Sequence, residues 1–415
     1  MNVLWITNIV FPEAMAKLIG SSDLKSSGGW MLGAANALIN KHDIKLTVAS
    51  VSNKVSKLTR LEGRQIVYFI LPFGKGNFNI NLDYIPYWRI VQDLVNPDVV
   101  HIHGTEYSHG YAYMEACGSA NVVISIQGLT AAYYYYYYGM TKGDIYSNLT
   151  FRDLIRGGII NDQKSFKYRS EIEKAMLRKC KHIIGRTSWD RARTWSINPE
   201  ANYYFCNEIL RDEFYDGTSW SYHQCRKHSI FLSQASYPIK GLHQVLKAMP
   251  LILRHFPDTI VRVAGYDITK ANTFYDKLKM TGYGLYIKRL IKKLKLDGKV
   301  TFTGNLNAEE MKNEYLKSNV FICPSTIENS PNSLGEAQIL GVPCIASYVG
   351  GIPDMMDGNE ENLYRFEEVE MLAEKVCRIF SNEGDQKNMI ETAQMRHDPA
   401  TNGNKLYSIY KSLKG

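Results

Sequence analysis

Several of the usual signposts are missing from this chain. No apolar run approaches the roughly 20 residues that cross a bilayer, so no membrane span is expected. The opening run, Met1-Asn-Val-Leu-Trp-Ile-Thr-Asn8, has no basic stretch before it and no small-residue cleavage site, so no secretory leader is read. Cysteine is sparse, seven in 415 residues, and none stands in a CxxC pair. That leaves neither a disulfide framework nor a zinc knuckle, and it fits a reducing cytoplasm. There is no GxGxxG, so the dinucleotide fingerprint is absent. No recognised nucleic-acid motif accompanies the net charge of +8. That charge offers only weak attraction to anionic lipid or to a phosphorylated ligand, and nucleic acid is not a predicted partner.

What is present is an ordinary globular balance, 45% apolar and 22% charged, over more length than one core usually organises. Two domains are the expectation. Strand-like runs lie at residues 2–8, 45–51, 97–104 and 121–128, with helical spacing from Trp30 to Ile39 after a loop over residues 9–29. That loop ends in Gly28-Gly29, where the lack of side chains lets a ligand approach a helix start; a plain tight turn is the simpler reading. His101 and His103 share one strand face by the period of two. As a metal pair they lack a third ligand nearby, so they read as polar lining, with His103 nearer the strand end. A second series begins at 228–234 and continues with strands ending in Gly265 and Gly304. Residues 286–295 place Ile287, Leu290, Ile291 and Leu294 at helical spacing, with a basic face that reads as solvated rather than lipid-bound.

The stretch around which the rest is organised is Cys323-Pro-Ser-Thr-Ile-Glu328-Asn-Ser-Pro-Asn-Ser-Leu-Gly-Glu336-Ala-Gln338, two carboxylates with seven residues between them. The apolar run Val320–Cys323 reads as a buried strand. Ser333 reads as the N-cap of a helix carrying Glu336 in its first turn and closed by Gly341. A helix start favours an anion, whereas the carboxylates are suited to accept bonds from hydroxyls beside it. A sugar and a ribose flanking a diphosphate fit that description.

With Gly341-Val-Pro-Cys-Ile-Ala-Ser-Tyr-Val-Gly350-Gly-Ile-Pro353 following it, this segment resembles the E-x7-E signature of glycosyltransferase family 4, the retaining group 1 type found in bacterial capsule, exopolysaccharide and O-antigen assembly. The resemblance covers nearly the whole chain and is best over residues 228–365. It implies an α/β chain of the GT-B fold, with two Rossmann-like domains facing a central cleft. The expected divisions are 1–215 for an acceptor domain, 216–394 for a nucleotide-sugar donor domain and 395–415 for a helix crossing back, with a hinge near 215–228. It also implies transfer from a nucleotide-diphosphate sugar without a cofactor. The absence of any DxD agrees with metal independence.

Residue by residue, the resemblance assigns Glu328 to the donor sugar, Glu336 to the ribose, and the backbone of Asn332, Ser333 and Leu334 to the sugar and diphosphate. The glycine pair Gly28-Gly29 faces the diphosphate and acceptor. The nucleobase lies against the backbone after Gly265 and Gly304, at Tyr266 and Asn305. Lys240 matches the lysine that grips the diphosphate. Gln234 stands about where the family has an arginine, and Arg186 is the candidate replacement. Gln127 stands where the family commonly has a histidine, and it can bond sugar hydroxyls without titrating. Glu328, Lys240, Arg186 and His103 are therefore the expected catalytic set. The six tyrosines of Tyr133–Tyr138 read equally as a sugar-stacking surface and as packing. With the basic region 151–181 they suggest a glycan acceptor carried on a membrane-bound polyprenyl diphosphate, with the protein cytoplasmic and peripheral at the inner membrane face. A GT-B epimerase or phosphorylase, and a non-catalytic sugar-nucleotide binder, are the alternatives; Glu328, Glu336 and Lys240 speak against the last.

Overall fold

The computed structural model describes residues 1–20, 29–40, 43–73, 82–382 and 387–414. Gly28 and residues 21–27 before it lie outside the described residues. Fourteen strands are described: β1 (Asn2–Thr7), β2 (Lys45–Ser52), β3 (Thr59–Glu62), β4 (Val67–Pro72), β5 (Val99–His103), β6 (Val122–Ser125), β7 (His182–Gly185), β8 (Asn202–Phe205), β9 (Ser229–Leu232), β10 (Ile260–Val263), β11 (Val300–Phe302), β12 (Val320–Cys323), β13 (Cys344–Ser347) and β14 (Leu363–Tyr364). The chain divides into two compact units, residues 1–134, 165–211 and 397–415, and residues 135–164 and 212–396.

The first unit holds an eight-stranded sheet in the order β3-β4-β2-β1-β5-β6-β7-β8. It is parallel except for β3, which pairs antiparallel with β4. Alternation sends Leu4 and Ile6 into one core cluster and Val3 and Trp5 into another, as expected of a sheet covered on both faces. The helix Pro399–Lys414 supplies Leu406, Ile409 and Tyr410 to the second cluster and packs on the helix Gly29–Ile39. The stretch expected to be loop from residue 9 contains the helix Pro12–Ile19. It has proline in its first turn, where the missing N–H costs nothing, and Gly20 at φ +68 closes it.

The second unit holds a parallel six-stranded sheet, β11-β10-β9-β12-β13-β14. β9, β12 and β13 are buried along their whole length, as their apolar runs require. Two segments differ from the expected division. Residues 135–164 pack with this unit although they lie within the sequence of the first. Arg289 donates to the Ser147 carbonyl and to Asn148 Oδ1 at 2.7 and 2.9 Å, and His243 Nε2 donates to the Gly139 carbonyl at 2.5 Å. Residues expected as the hinge are fixed here as well. The Trp220 amide donates to the Leu340 carbonyl and its indole N–H to the Ser318 carbonyl, both at 2.7 Å.

Candidate active site

In the second unit the sheet order reverses between β9 and β12, so the chain leaves these neighbouring strands in opposite directions and opens a crevice beyond their C-terminal ends. The two loops bounding it are stitched together. Gly241 has φ +70 and lies so close to Pro324 that a Cβ would sit 1.6 Å from its carbonyl oxygen, so only glycine fits. The Thr326 amide donates to the Ile239 carbonyl at 2.8 Å. This places Lys240 Nζ 2.5 Å from Glu328 Oε1, and Ser325 Oγ donates to the same oxygen at 2.9 Å. Behind Glu328, Gly350 (φ +54) leaves no room for a side chain against the Glu328 carbonyl, which accepts from the Gly351 amide at 3.0 Å. Glu328 is buried, yet its Oε2 has no partner among the described residues. Burial pulls the Lys240 ammonium down, but the Glu328 carboxylate and Tyr237 outweigh it and hold the ammonium above its ordinary value. Lys240 therefore stays charged.

The helix carrying Glu336 runs Asn332–Ile339, and its N-cap is Pro331, without a side-chain cap bond. The expected Ser333 cap is thus corrected: the helix starts two residues earlier, at Asn332, and Ser333 lies inside its first turn. Glu336 is the fifth helical residue, one turn in, and is buried. The Leu334 amide donates to the Pro331 carbonyl at 2.9 Å, so contacts to an anion at this helix start fall to the residues before Leu334. Gly265 and Gly304 end their strands with positive φ and bridge each other through backbone bonds of 2.9 and 3.2 Å. Beside them lies an open pocket of about 290 Å³ lined by Gln234, Gly265, Tyr266, Phe302, Asn305 and Met311. The position expected to carry an arginine thus faces the same pocket as the expected base-binding residues.

In the first unit the order reverses between β1 and β5. His101 and His103 stack there at 3.8 Å and 28°. The His101 ring nitrogens lie 2.5 Å from Tyr410 Oη and 2.5 Å from Ser125 Oγ. His103 is equally buried, but neither of its ring nitrogens has a hydrogen-bond partner among the described residues. Burial, and then the Arg186 charge, push it down to about 3, so it is neutral near pH 7. It lines a narrow pocket with Trp30, Gln127, Arg186, Glu208 and Asn402. Arg186 is ion-paired with Glu208 and donates to the Ile126 carbonyl, so its charge is compensated within this unit. Glu208 was missed by sequence reasoning. It stands at the exit of β8, 22 positions after Arg186, and its only signal was a charged residue at a strand end. Gly29 opens its helix where a side chain would meet Arg211 at 2.9 Å, which is a packing reason for glycine.

The tyrosine run is divided. Tyr133 and Tyr134 belong to the first unit, where Tyr133 lies against Gly128 and stacks on Phe166. Their helix is capped by Glu173, which accepts the Thr130 and Ala131 amides at 3.0 and 2.8 Å. Tyr135 to Tyr138 belong to the second unit. Tyr137 is buried there, while Tyr135 and Tyr136 are exposed. Among the described residues no group of three His, Cys, Asp or Glu converges as a metal site, and no helix is long and apolar enough to cross a membrane.

Residues 225–396 match the model of the family Glycosyl transferases group 1. An uncharacterized glycosyltransferase of Methanocaldococcus jannaschii is 24% identical over 169 residues, 40% of this chain and 39% of that protein. In the three curated relatives the matched stretches span 39%, 16% and 30% of their lengths. Among solved structures, a sucrose-phosphate synthase from Thermosynechococcus elongatus superposes with a TM-score of 0.68 at 16% identity, covering 99% of this chain and 98% of that one. WaaG, a glycosyltransferase involved in lipopolysaccharide biosynthesis, superposes with a TM-score of 0.60 at 13% identity, covering 98% and 99%. The chain has the GT-B fold, with two Rossmann-like units.

Proposed function

We propose that this chain is a retaining glycosyltransferase that moves a sugar from a nucleotide-diphosphate sugar to a glycan carried on a polyprenyl diphosphate, in the assembly of a surface polysaccharide. The observation that carries the reading is the cluster of Lys240, Glu328 and Ser325 at the strand ends of the second unit, inside the stretch that matches group 1 glycosyl transferases. Lys240 meets the negative charge that grows on the departing diphosphate, which favours the transition state over the bound donor. Oε2 of Glu328 accepts a bond from a hydroxyl of the donor sugar. Glu336 accepts from the ribose. The backbone at Gly265-Tyr266 and Gly304-Asn305 bounds the base, and Phe302 and Met311 offer it an apolar wall.

The pocket of the first unit takes acceptor hydroxyls. His103 and Gln127 supply neutral hydrogen-bonding groups, and the Arg186–Glu208 pair shapes the wall rather than serving the diphosphate. The attacking hydroxyl gives its proton to a phosphate oxygen of the leaving diphosphate, so neither a protein base nor a metal is required. The structural relative involved in lipopolysaccharide biosynthesis supports the choice of a surface glycan. The test is a panel of nucleotide-diphosphate sugars incubated with the protein in EDTA. Release of nucleoside diphosphate and a product whose anomeric configuration matches the donor are expected. Inverted product, a 2-epimerised donor, or activity that returns only with Mn²⁺ or Mg²⁺ would each overturn the part it addresses.

A further inference from the structure

Two short helices of the second unit are built inside out. From its cap, one reads Thr150-Phe-Arg-Asp-Leu-Ile-Arg156, and the other Thr273-Phe-Tyr-Asp-Lys-Leu-Lys279. Each begins on a threonine whose hydroxyl accepts the amide of an aspartate three residues on, and each aspartate returns a bond from the threonine amide. In helix Phe151–Arg156 the buried side chain is that capping aspartate, Asp153, and helix Phe274–Lys279 buries none. The apolar residues face solvent instead. Phe151, Leu154 and Ile155 lie at helical spacing on one helix, as do Phe274, Tyr275 and Leu278 on the other, all exposed; Leu154 is 75% and Phe274 77% exposed. A surface helix normally turns this stripe to the core.

The two helices pack on each other, and Thr150 Oγ1 donates to the Met280 carbonyl at 2.9 Å. Their exposed side chains therefore stand on two adjoining helices, and Leu149 and Tyr146, just before the first of them in sequence, are exposed as well. An exposed apolar face of this kind marks a contact surface. Its charge selects the partner. Asp153 and Asp276 are engaged by the caps, while Arg156, Lys277 and Lys279 stand exposed among the apolar residues, with Lys279 Nζ 3.9 Å over the Tyr275 ring. Aromatic and aliphatic side chains interleaved with cations match the headgroup boundary of an anionic bilayer.

We infer that this two-helix face docks on an anionic phospholipid surface, with Phe151, Leu154, Ile155 and Phe274 entering the headgroup boundary and Arg156, Lys277 and Lys279 meeting lipid phosphates. Its biological use rests on the reading of a membrane-carried acceptor, but its binding can be measured apart from transfer. The experiment is flotation of the full chain with vesicles of phosphatidylcholine mixed with phosphatidylglycerol, against vesicles of phosphatidylcholine alone. The chain is expected to float with the anionic vesicles and to be released by salt. Leu154→Ser/Ile155→Ser/Phe274→Ser should lower the partition roughly tenfold or more, and Arg156→Glu/Lys277→Glu/Lys279→Glu should release it as well, both melting with the parent. Wild-type protein that stays off anionic vesicles, or an apolar variant that floats as well as wild type, would overturn the proposal. So would a dimer that the apolar variant dissociates while vesicle binding is absent, because the face would then be a self-interface. Donor hydrolysis separates the two readings. If the variant stops floating, the docking face stands whether or not either protein hydrolyses a donor; hydrolysis by neither would count against the transferase reading alone.

Discussion

At the reversal of the second sheet the strand ends hold a charged lysine 2.5 Å from a buried glutamate, with one carboxylate oxygen unpartnered among the described residues. At the reversal of the first sheet they hold a buried histidine kept neutral, beside an arginine already paired with Glu208. Both crevices arise from the same topology, yet one sets a lysine beside a carboxylate with an open oxygen, while the other sets a neutral histidine beside an arginine and a glutamate that pair with each other. Charge is useful where a diphosphate departs, and it is costly where an alcohol must be held without competing for the anion. The contrast is the physical basis for assigning donor and acceptor to different units.

The largest effect is expected from Lys240→Ala. It removes the cation and strands Glu328 as a buried carboxylate. Turnover should fall about a hundred- to a thousandfold. Stability should drop by about 2–3 kcal/mol, below the range for fully buried pairs because the Lys240 side chain keeps 21% of its surface exposed. Adding Glu328→Gln should restore much of the stability but none of the activity, which denaturant melts and initial rates can separate. If the double variant regains turnover, Lys240 was there only to neutralise Glu328.

Glu336→Ala should come next. Losing a bond between a carboxylate and a ribose hydroxyl costs about 1.5–3 kcal/mol, seen calorimetrically as roughly ten- to hundredfold weaker nucleoside diphosphate binding. Unchanged affinity would remove Glu336 from the ribose. In the other crevice, His103→Ala should raise the acceptor KM about fivefold, the worth of one neutral bond of about 1 kcal/mol, and leave donor hydrolysis intact. A fall in hydrolysis of the same size would mean that His103 supports the fold or the donor.

A separate effect, on stability against pH, is confined to acid solution. Unfolded, a histidine titrates near ~6.5, whereas burial, and then Arg186, hold His103 down to about 3. The unfolded chain therefore takes the proton first. The stability contributed by the neutral ring is full above pH ~6.5 and falls as pH drops toward 3, by up to ~1.4 kcal/mol per pH unit. His103→Gln should make that slope shallower in melts over this range, and an identical slope would show that His103 is not the group responsible.

Much of the second unit could be read from sequence because its strands are short apolar runs cut off by Pro324, Gly265 and Gly304, and local chemistry decides them. Resemblance assigned Lys240 to the diphosphate and Glu328 to the sugar without predicting that they pair; what enforces the pairing is Gly241 against Pro324, a contact between residues 83 positions apart. Three features were hidden for the same kind of reason. Residues 135–164 carry no local mark that they pack with another unit. Arg186 carries none that Glu208 will claim it. The Asn332 helix start depends on Pro331, whose own backbone is extended and which caps without a side-chain bond. The helix Pro12–Ile19, by contrast, was legible from Pro12-Glu13 and was overlooked because a glycine-rich stretch follows it.

The central claim is that the donor's diphosphate is bound by the second unit's charged crevice and not by the neutral one. The most direct measurement is calorimetric titration of a nucleoside diphosphate into wild type, Lys240→Ala and His103→Ala. Binding to wild type and to His103→Ala with similar affinity, together with a loss of at least about tenfold in Lys240→Ala, is the predicted result. Undiminished binding to Lys240→Ala, or a loss confined to His103→Ala, would contradict it.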